Sequence, residues 1–141
     1  MDTQFNLDRF VEAQAPVYNK VLAELEAGRK TTHWMWFIFP QISGLGHSAM
    51  AQKFAIASAD EAAAYLAHPL LGERLRECAS LVAAHDDKEV ADIFDPPDDL
   101  KFHSSMTLFS RAAPHEPLFR RALVVFYEGI DDIETLKRLP I

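Results

Sequence analysis

Cysteine is almost absent from this sequence, which has a single one, Cys78, among 141 residues. A lone cysteine forms no internal disulfide, and its neighbours Leu75 and Val82 indicate a small buried hydrophobic position. The six histidines are scattered, with no two at the spacing of metal ligands. We therefore expect no disulfide, no bound metal and no cofactor.

Long apolar runs are also missing. The longest, Trp34 to Phe39, is far too short to cross a bilayer, and the first ten residues, MDTQFNLDRF, lack the pattern of a secretory signal. The net charge is -7, from 21 acidic and 14 basic residues, so the chain repels a phosphate backbone. These features predict a soluble cytoplasmic protein that binds neither membrane nor nucleic acid, and they leave its oligomeric state open.

Familiar catalytic motifs are lacking as well. The sequence has no phosphate-binding glycine loop, no G-x-S-x-G nucleophile elbow and no H-E-x-x-H zinc helix. No acidic residue lies close enough in sequence to Ser104 or Ser105 to form a Ser-His-Asp relay, so neither serine is expected to be a nucleophile. Function has to be sought in less common residue patterns.

The sequence does contain a strong helical pattern. Apolar residues at three- and four-residue steps predict a first helix from about Leu7 to Ala27, bent or restarted at Pro16 and closed by Gly28. No repeat and no flexible linker divides the chain. We predict that residues 1–141 form a mostly α-helical, single compact domain of five to seven helices around one core, with at most a small β element.

Capping residues mark the later helices. Ser58–Glu61 has the spacing of a capping box, and Gly129 closes the last long helix. The segment Leu100–Leu108 is ambiguous, because its apolar residues alternate as in a strand and also fit a helix begun at Asp98. We favour the helix.

The most unusual stretch is HWMWFIFPQ, residues 33–41, which holds both tryptophans of the chain. Its six consecutive apolar residues suit an ordinary core segment. The stretch also suits a pocket wall, since His33 and Gln41 bracket it as polar groups and an indole N–H needs a partner. In that second interpretation Trp34 and Trp36 stack on a planar ligand that His33 and Gln41 contact.

A row of small polar residues follows. Gly44 and Gly46 allow backbone amides to approach an anion or a sugar closely, and Ser43 and Ser48 flank them. Alternatively, Ser48 caps a helix that begins at Ala49. The two roles are compatible, because a helix N-terminus also attracts anions.

The segment KFHSSMT supplies a third group of candidate ligand-binding residues. Lys101 offers a cation to a ligand carboxylate or phosphate, and Ser104 and Ser105 add hydroxyl groups within the same few positions. The alternative for this segment is a solvated surface.

Several strings together resemble one bacterial family. They include HWMWFIFPQ, GLGHS, SSMTLF, Arg9-Phe10, Ala13-Gln14, His68-Pro69, Leu71-Gly72 and the closing residues Asp132 to Leu136. Over nearly its whole length the chain resembles the family catalogued as domain of unknown function 1810, some of whose members are labelled calpastatin. The long aromatic string is highly specific, and the resemblance implies no established activity.

A fainter similarity is to domains of the NADAR type, which are associated with NAD and ADP-ribose metabolism and with cleavage of N-glycosidic bonds. Residues 8–14, DRFVEAQ, look in part like the E-h-aromatic-x-Q-A-Q string of those domains. Asp8 stands where that string has glutamate and Glu12 where it has glutamine. The resemblance implies Asp8 as a catalytic carboxylate; Asp8 and Glu12 also lie one helical turn apart, as a general base and its neighbour would. The alternative is a charged helix face in water.

Two functions of different classes follow from these patterns. The first is binding or hydrolysis of a nucleotide-like small molecule related to ADP-ribose or NAD, with both tryptophans on its ring, the Ser43–Ser48 loop at phosphate or ribose, and Lys101 supplying charge. An enzyme of this kind would be an N-glycosidic bond hydrolase. The second is a protein-interaction module without chemistry, in which Trp34 to Phe39 form an exposed aromatic patch.

Overall fold

The structure is a computed structural model that describes residues 5–139. Its regular secondary structure consists of helices. This range contains ten helices, more than the five to seven predicted. Four of them have only four to six residues each and leave no amphipathic period in the sequence. The helices are α1 (Asp8–Gln14), α2 (Tyr18–Ala27), α3 (Met35–Ile38), α4 (Ala49–Lys53), α5 (Ala59–Ala67), α6 (Leu71–Ala83), α7 (Val90–Ile93), α8 (Asp98–Ala112), α9 (Pro117–Tyr127) and α10 (Ile133–Arg138).

The predicted small β element is reduced to one parallel bridge, between Ile42 and Ile56, and residues 5–139 include no strand. The Ser43 amide donates to the Ile56 carbonyl, and the Ile56 amide donates to the Gln41 carbonyl, each at 2.8 Å. These two hydrogen bonds hold the loop after α3 against the connection between α4 and α5.

The first predicted helix is two helices, α1 and α2, so the predicted restart at Pro16 is confirmed. Proline has no amide hydrogen to continue the helical ladder. Gly28 ends α2 as predicted, at a φ of 77° in the left-handed region that glycine tolerates. Within the described residues, no helix is long and apolar enough to span a membrane.

The ambiguous segment Leu100–Leu108 is helical, as favoured, and belongs to α8, the longest helix of the protein. This helix packs against α5, α7, α9 and α10, so almost every side of it is covered. Ser105 and Thr107 are consequently as buried as Met106 and Leu108. A helix covered on most sides has no simple polar face, which explains why its sequence pattern was ambiguous.

The core is one continuous cluster with many aromatic rings. Phe39 and Phe94 both lie against Phe102 of α8, with ring centres 5.0 and 5.1 Å away, and Tyr65 packs on Phe10 at 5.0 Å. Cys78 is buried in α6, as predicted, and its burial raises the pKa of the thiol to about 12. The thiol is therefore structural and neutral.

Gly72, in the first turn of α6, is expected not to tolerate alanine. A Cβ atom there would overlap the backbone carbonyl of Leu66. Alanine usually favours a helix over glycine by about 1 kcal/mol, but this carbonyl ends α5 and cannot move aside. We expect Gly72→Ala to lower the free energy of unfolding in urea by about 2 kcal/mol. Ser80→Ala, on the exposed side of α6, should change it by less than about 0.5 kcal/mol; equal stability of the two variants would contradict the packing described here.

Candidate functional site

The connection that precedes Trp34 is held by one buried carboxylate, that of Glu24 on α2. Its Oε1 accepts hydrogen bonds from the Thr31 amide at 2.7 Å and from the Trp34 indole at 3.0 Å. Its Oε2 accepts from the Thr32 hydroxyl at 2.6 Å. Burial opposes ionisation, but these hydrogen bonds outweigh it and lower the pKa of Glu24 to about 2. Glu24 is therefore charged at neutral pH, and it fixes Trp34 and the chain before it.

Trp34 belongs to the core. It is 1% exposed, and its ring lies 6.2 Å from that of Phe39 and 6.5 Å from that of Phe94. Its indole donor is already bonded to Glu24, so Trp34 presents no open ring face to a ligand. The other tryptophan, Trp36, is partly exposed. Of the two residues predicted to stack on a ligand, Trp36 is the one that solvent reaches.

Trp36 lies beside Lys101, which comes from a different predicted segment. Trp36 is on α3 and Lys101 is in the first turn of α8, and the Lys101 ammonium is 5.2 Å from the centre of the indole ring. This is a cation–π distance. The fold thus brings together two of the predicted ligand-binding residues.

Two lysines share one carboxylate at this place. Lys30 Nζ is 2.7 Å from Asp98 Oδ2, and Lys101 Nζ is 3.7 Å from Asp98 Oδ1. All three side chains are partly buried, with 9% (Lys30), 19% (Asp98) and 25% (Lys101) exposed. The cluster carries two positive charges and one negative charge, in a chain whose net charge is -7. We call Lys30, Trp36, Asp98 and Lys101 the Trp36 surface.

The polar margins of the aromatic string lie mainly at the protein surface. His33, Ser43, Gly44 and Ser48 are exposed, and Gln41 and Gly46 are partly buried. The Ser48 hydroxyl accepts from the Ala51 amide at 3.1 Å, so the predicted cap of a helix at Ala49 is confirmed.

The loop that holds these residues is joined to other parts of the chain. Within the described residues, its hydrogen bonds go to its own neighbours and to Ile56, and none reaches Trp36 or Lys101. Gly44, at a φ of 100°, faces the Arg138 side chain of α10. Within residues 5–139, the predicted phosphate loop therefore forms no hydrogen bond with the Trp36 surface.

Ser104 and Ser105 are buried in α8. The Ser104 hydroxyl lies 3.0 Å from Asp132 Oδ2, and the same carboxylate oxygen accepts the Thr135 hydroxyl at 2.6 Å. Ser104 thus ties α8 to the start of α10. The Ser105 hydroxyl has no hydrogen-bond partner within the described residues and is fully enclosed. Both serines are enclosed by the fold, so neither belongs to the candidate site.

Asp8 is exposed on α1 and forms no ion pair within the described residues. Its neighbour in the presumed acid–base pair, Glu12, is exposed as well. No group of three or more histidine, cysteine, aspartate or glutamate side chains in residues 5–139 converges in a way that could hold a metal ion. A catalytic role for Asp8 stays a prediction.

Neither Lys30 nor Asp98 was predicted from the sequence as a ligand-binding residue, and Asp98 was predicted only as the start of a helix. The signal that could have found them is charge complementarity between Arg29-Lys30 and the turn Asp95–Asp98. In the structure Arg29 pairs with Asp95 at 2.8 Å, and Lys30 pairs with Asp98. The opposite charges of the two segments could therefore have suggested that they are neighbours in the fold.

The fold and the Trp36 surface together define an all-helical protein with a partly exposed tryptophan beside a cluster of lysines. A family model described as "Protein of unknown function (DUF1810)" matches residues 4–139, and the chain belongs to this family. The family resemblance seen in the aromatic string is thereby confirmed. The matches give no support to the fainter NADAR similarity.

One solved structure is similar over almost the full length of both chains. It is the crystal structure of the conserved hypothetical protein Rv1873 from Mycobacterium tuberculosis. The sequences are 52% identical, the match covers 97% of this chain and 98% of that one, and the TM-score is 0.95. No curated protein matches this chain.

Proposed function

We propose that this protein binds a nucleotide-like small molecule at the Trp36 surface. The base would stack on the exposed part of the Trp36 indole, and a phosphate or carboxylate would pair with Lys101. One observation carries the proposal: two lysines share the single carboxylate of Asp98 beside a partly exposed indole. The Lys101 ammonium, which lies 3.7 Å from Asp98, favours an anion, and the indole favours a planar ring.

Lys101 is the lysine that is available to a ligand. Lys30 is held at 2.7 Å by Asp98, whereas Lys101 is 3.7 Å away and has more of its side chain in water. An anion that draws Lys101 away would leave the Lys30–Asp98 pair intact. Lys30 thus has a structural role in its pair with Asp98, whereas Lys101 would contact the ligand.

The two expected contacts differ in strength. Stacking of a base on an aromatic side chain contributes about 1–3 kcal/mol, whereas a partly exposed ion pair contributes about 0–1 kcal/mol. Trp36 should therefore supply most of the affinity. Lys101 should mainly distinguish charged ligands from uncharged ones.

The ligand class rests on this geometry. AMP and ADP-ribose both combine an adenine ring with phosphate, the two features that Trp36 and Lys101 would recognise. The proposal is one of binding. It includes no reaction, because within the described residues Asp8 forms no hydrogen bond or ion pair with Lys30, Asp98 or Lys101.

The interaction module is not proposed here. It requires Trp34 to Phe39 as an exposed aromatic patch, and five of these six residues are at most 7% exposed. Trp36 alone does not make the contiguous apolar area that a protein partner would bury.

Calorimetric titration with AMP, ADP-ribose and adenosine tests the proposal. We expect Trp36→Leu to weaken AMP binding by about tenfold and Lys101→Gln by about threefold. Lys101→Gln should leave adenosine binding unchanged, because adenosine has no phosphate. Lys20→Gln, an exposed lysine of α2 without an ion pair in the described residues, is the matched control. Absence of AMP and ADP-ribose binding, or AMP affinity that Trp36→Leu does not alter, would refute the proposal.

A further inference from the structure

A cleft of about 310 Å³ shares no residue with the Trp36 surface. It lies between the turn that leads into α7 and the last turns of α9. Its volume is at the lower end of the range for small-molecule sites. The residues that line it are Lys88, Glu89, Val90, Ala91, Val125 and Phe126.

The two charged residues of this cleft, Lys88 and Glu89, form no ion pair within residues 5–139, although the Glu89 side chain accepts a hydrogen bond from the Asp92 amide in the capping box of α7. The Lys88 ammonium donates one hydrogen bond, of 3.3 Å, to the Gly28 carbonyl. Within the described residues neither side chain forms a salt bridge, with the other or with a third group. The cleft therefore offers one positive and one negative group, each with capacity for a ligand of opposite charge.

The surroundings disfavour a ligand with a single charge. Asp86, Asp87 and Asp92 are exposed close by in sequence, so a simple anion would meet Lys88 in a negative environment. A simple cation would meet the Lys88 ammonium itself. A zwitterion satisfies both groups and brings no net charge.

The remaining wall of the cleft is apolar. Val90, Ala91, Val125 and Phe126 contribute apolar side chains to the lining, and the Phe126 ring packs on the core ring of Phe102 with centres 6.2 Å apart. This contact anchors one side of the wall. An aliphatic group of a few carbons is what such a wall would bury.

We propose that this cleft binds a free α-amino acid with an apolar aliphatic side chain. Its carboxylate would pair with Lys88, its ammonium group with Glu89, and its side chain would lie on Val90, Val125 and Phe126. The inference is independent of ligand binding at the Trp36 surface, since the two sites have no residue in common.

Three small probes separate the contributions: L-leucine, 4-methylpentanoate, which is leucine without its amino group, and 3-methylbutylamine, which is leucine without its carboxylate. Each is titrated into the ¹⁵N-labelled full chain. We expect leucine to shift the amide signals of residues 88–91 and 125–126. Its Kd should be at least about tenfold lower than that of either analogue, because each analogue leaves one charged group of the cleft without a partner.

Variants assign the two charges. Lys88→Gln should raise the Kd of leucine to about that of 3-methylbutylamine, and Glu89→Gln to about that of 4-methylpentanoate. Lys53→Gln, on α4, is the matched control and should bind leucine unchanged. The proposal is overturned if millimolar leucine shifts none of these amides, if either analogue binds as well as leucine, or if both variants keep the original affinity. A cooperative thermal unfolding transition and well-dispersed amide signals in the NMR spectrum would show that each variant is folded.

Discussion

Replacement of Glu24 by alanine is expected to lower the free energy of unfolding by about 3–5 kcal/mol. The carboxylate accepts hydrogen bonds from the amides of Thr31 and Thr32, from the Thr32 hydroxyl and from the Trp34 indole. Without it, the buried Trp34 donor has no partner. Urea denaturation followed by tryptophan fluorescence measures the loss. Glu26→Ala, on the exposed side of α2, should cost less than about 0.5 kcal/mol.

The dependence on pH identifies Glu24 as the cause. Its pKa is about 2 in the folded protein and about 4.5 ordinarily, which corresponds to about 3 kcal/mol of stability. Because the folded value is the lower one, this stability is fully present above about pH 4.5 and is lost as the pH falls towards 2. The stability difference between the protein and its Glu24→Gln variant should shrink over that range. A difference that stays constant down to pH 2 would contradict the assignment.

Replacement of Arg9 by alanine is expected to cost a similar amount, about 3–5 kcal/mol. The Arg9 guanidinium pairs with Glu61 at 2.9 Å and donates to the carbonyls of Lys53 at 2.8 Å and Ala55 at 2.9 Å. The Glu61 side chain is only 3% exposed. Removal of Arg9 would leave this buried carboxylate without its cation and would free the connection between α4 and α5.

A double variant tests the Arg9 prediction. Arg9→Ala combined with Glu61→Gln removes the unpaired charge, so the two changes together should cost less than the sum of their separate costs. Arg121→Ala, at an exposed position of α9, is the control for loss of a surface cation. Strict additivity of the two changes would show that the pair is not coupled, contrary to the structure.

The string DRFVEAQ has structural roles that its functional interpretation did not anticipate. Arg9 joins α1 to the chain around Ala55. Gln14 is buried and donates 2.7 Å and 3.1 Å hydrogen bonds to the Phe37 carbonyl and the Tyr65 hydroxyl. Two of its polar residues thus hold α1 against α3 and α5.

Local signals predicted the parts of the fold that depend on local chemistry. Gly28 ends α2 because its backbone adopts the left-handed conformation. Ser48 caps α4 because its hydroxyl accepts a hydrogen bond from the Ala51 amide. Ser58 caps α5 in the same way, although the Glu61 carboxylate accepts from the Ala57 amide and not from Ser58. The short helices α3 and α7 were not predicted. One turn of helix carries no periodicity and is stabilised by the packing around it.

Trp36 and Lys101 of the candidate site could be predicted from the sequence, but the contact between them could not. Trp34 and Trp36 are two positions apart, and residues at that spacing do not share a helix face, so one turned inward and the other outward. Trp34 is the one that turned inward, because its indole donates to the Glu24 carboxylate. This could not be predicted, because glutamate is rarely buried in a protein interior. The approach of Lys101 to Trp36 depends on how α3 and α8 pack, which no local pattern encodes.

The most direct test of ligand binding at the Trp36 surface is an NMR titration with AMP that follows the two tryptophan indole N–H signals. Glu24→Gln assigns them, since Trp34 donates to that carboxylate and Trp36 does not. We predict that AMP shifts the Trp36 signal and leaves the Trp34 signal in place. If the Trp36 signal does not move at saturating AMP, or if only the Trp34 signal moves, the proposed site is wrong.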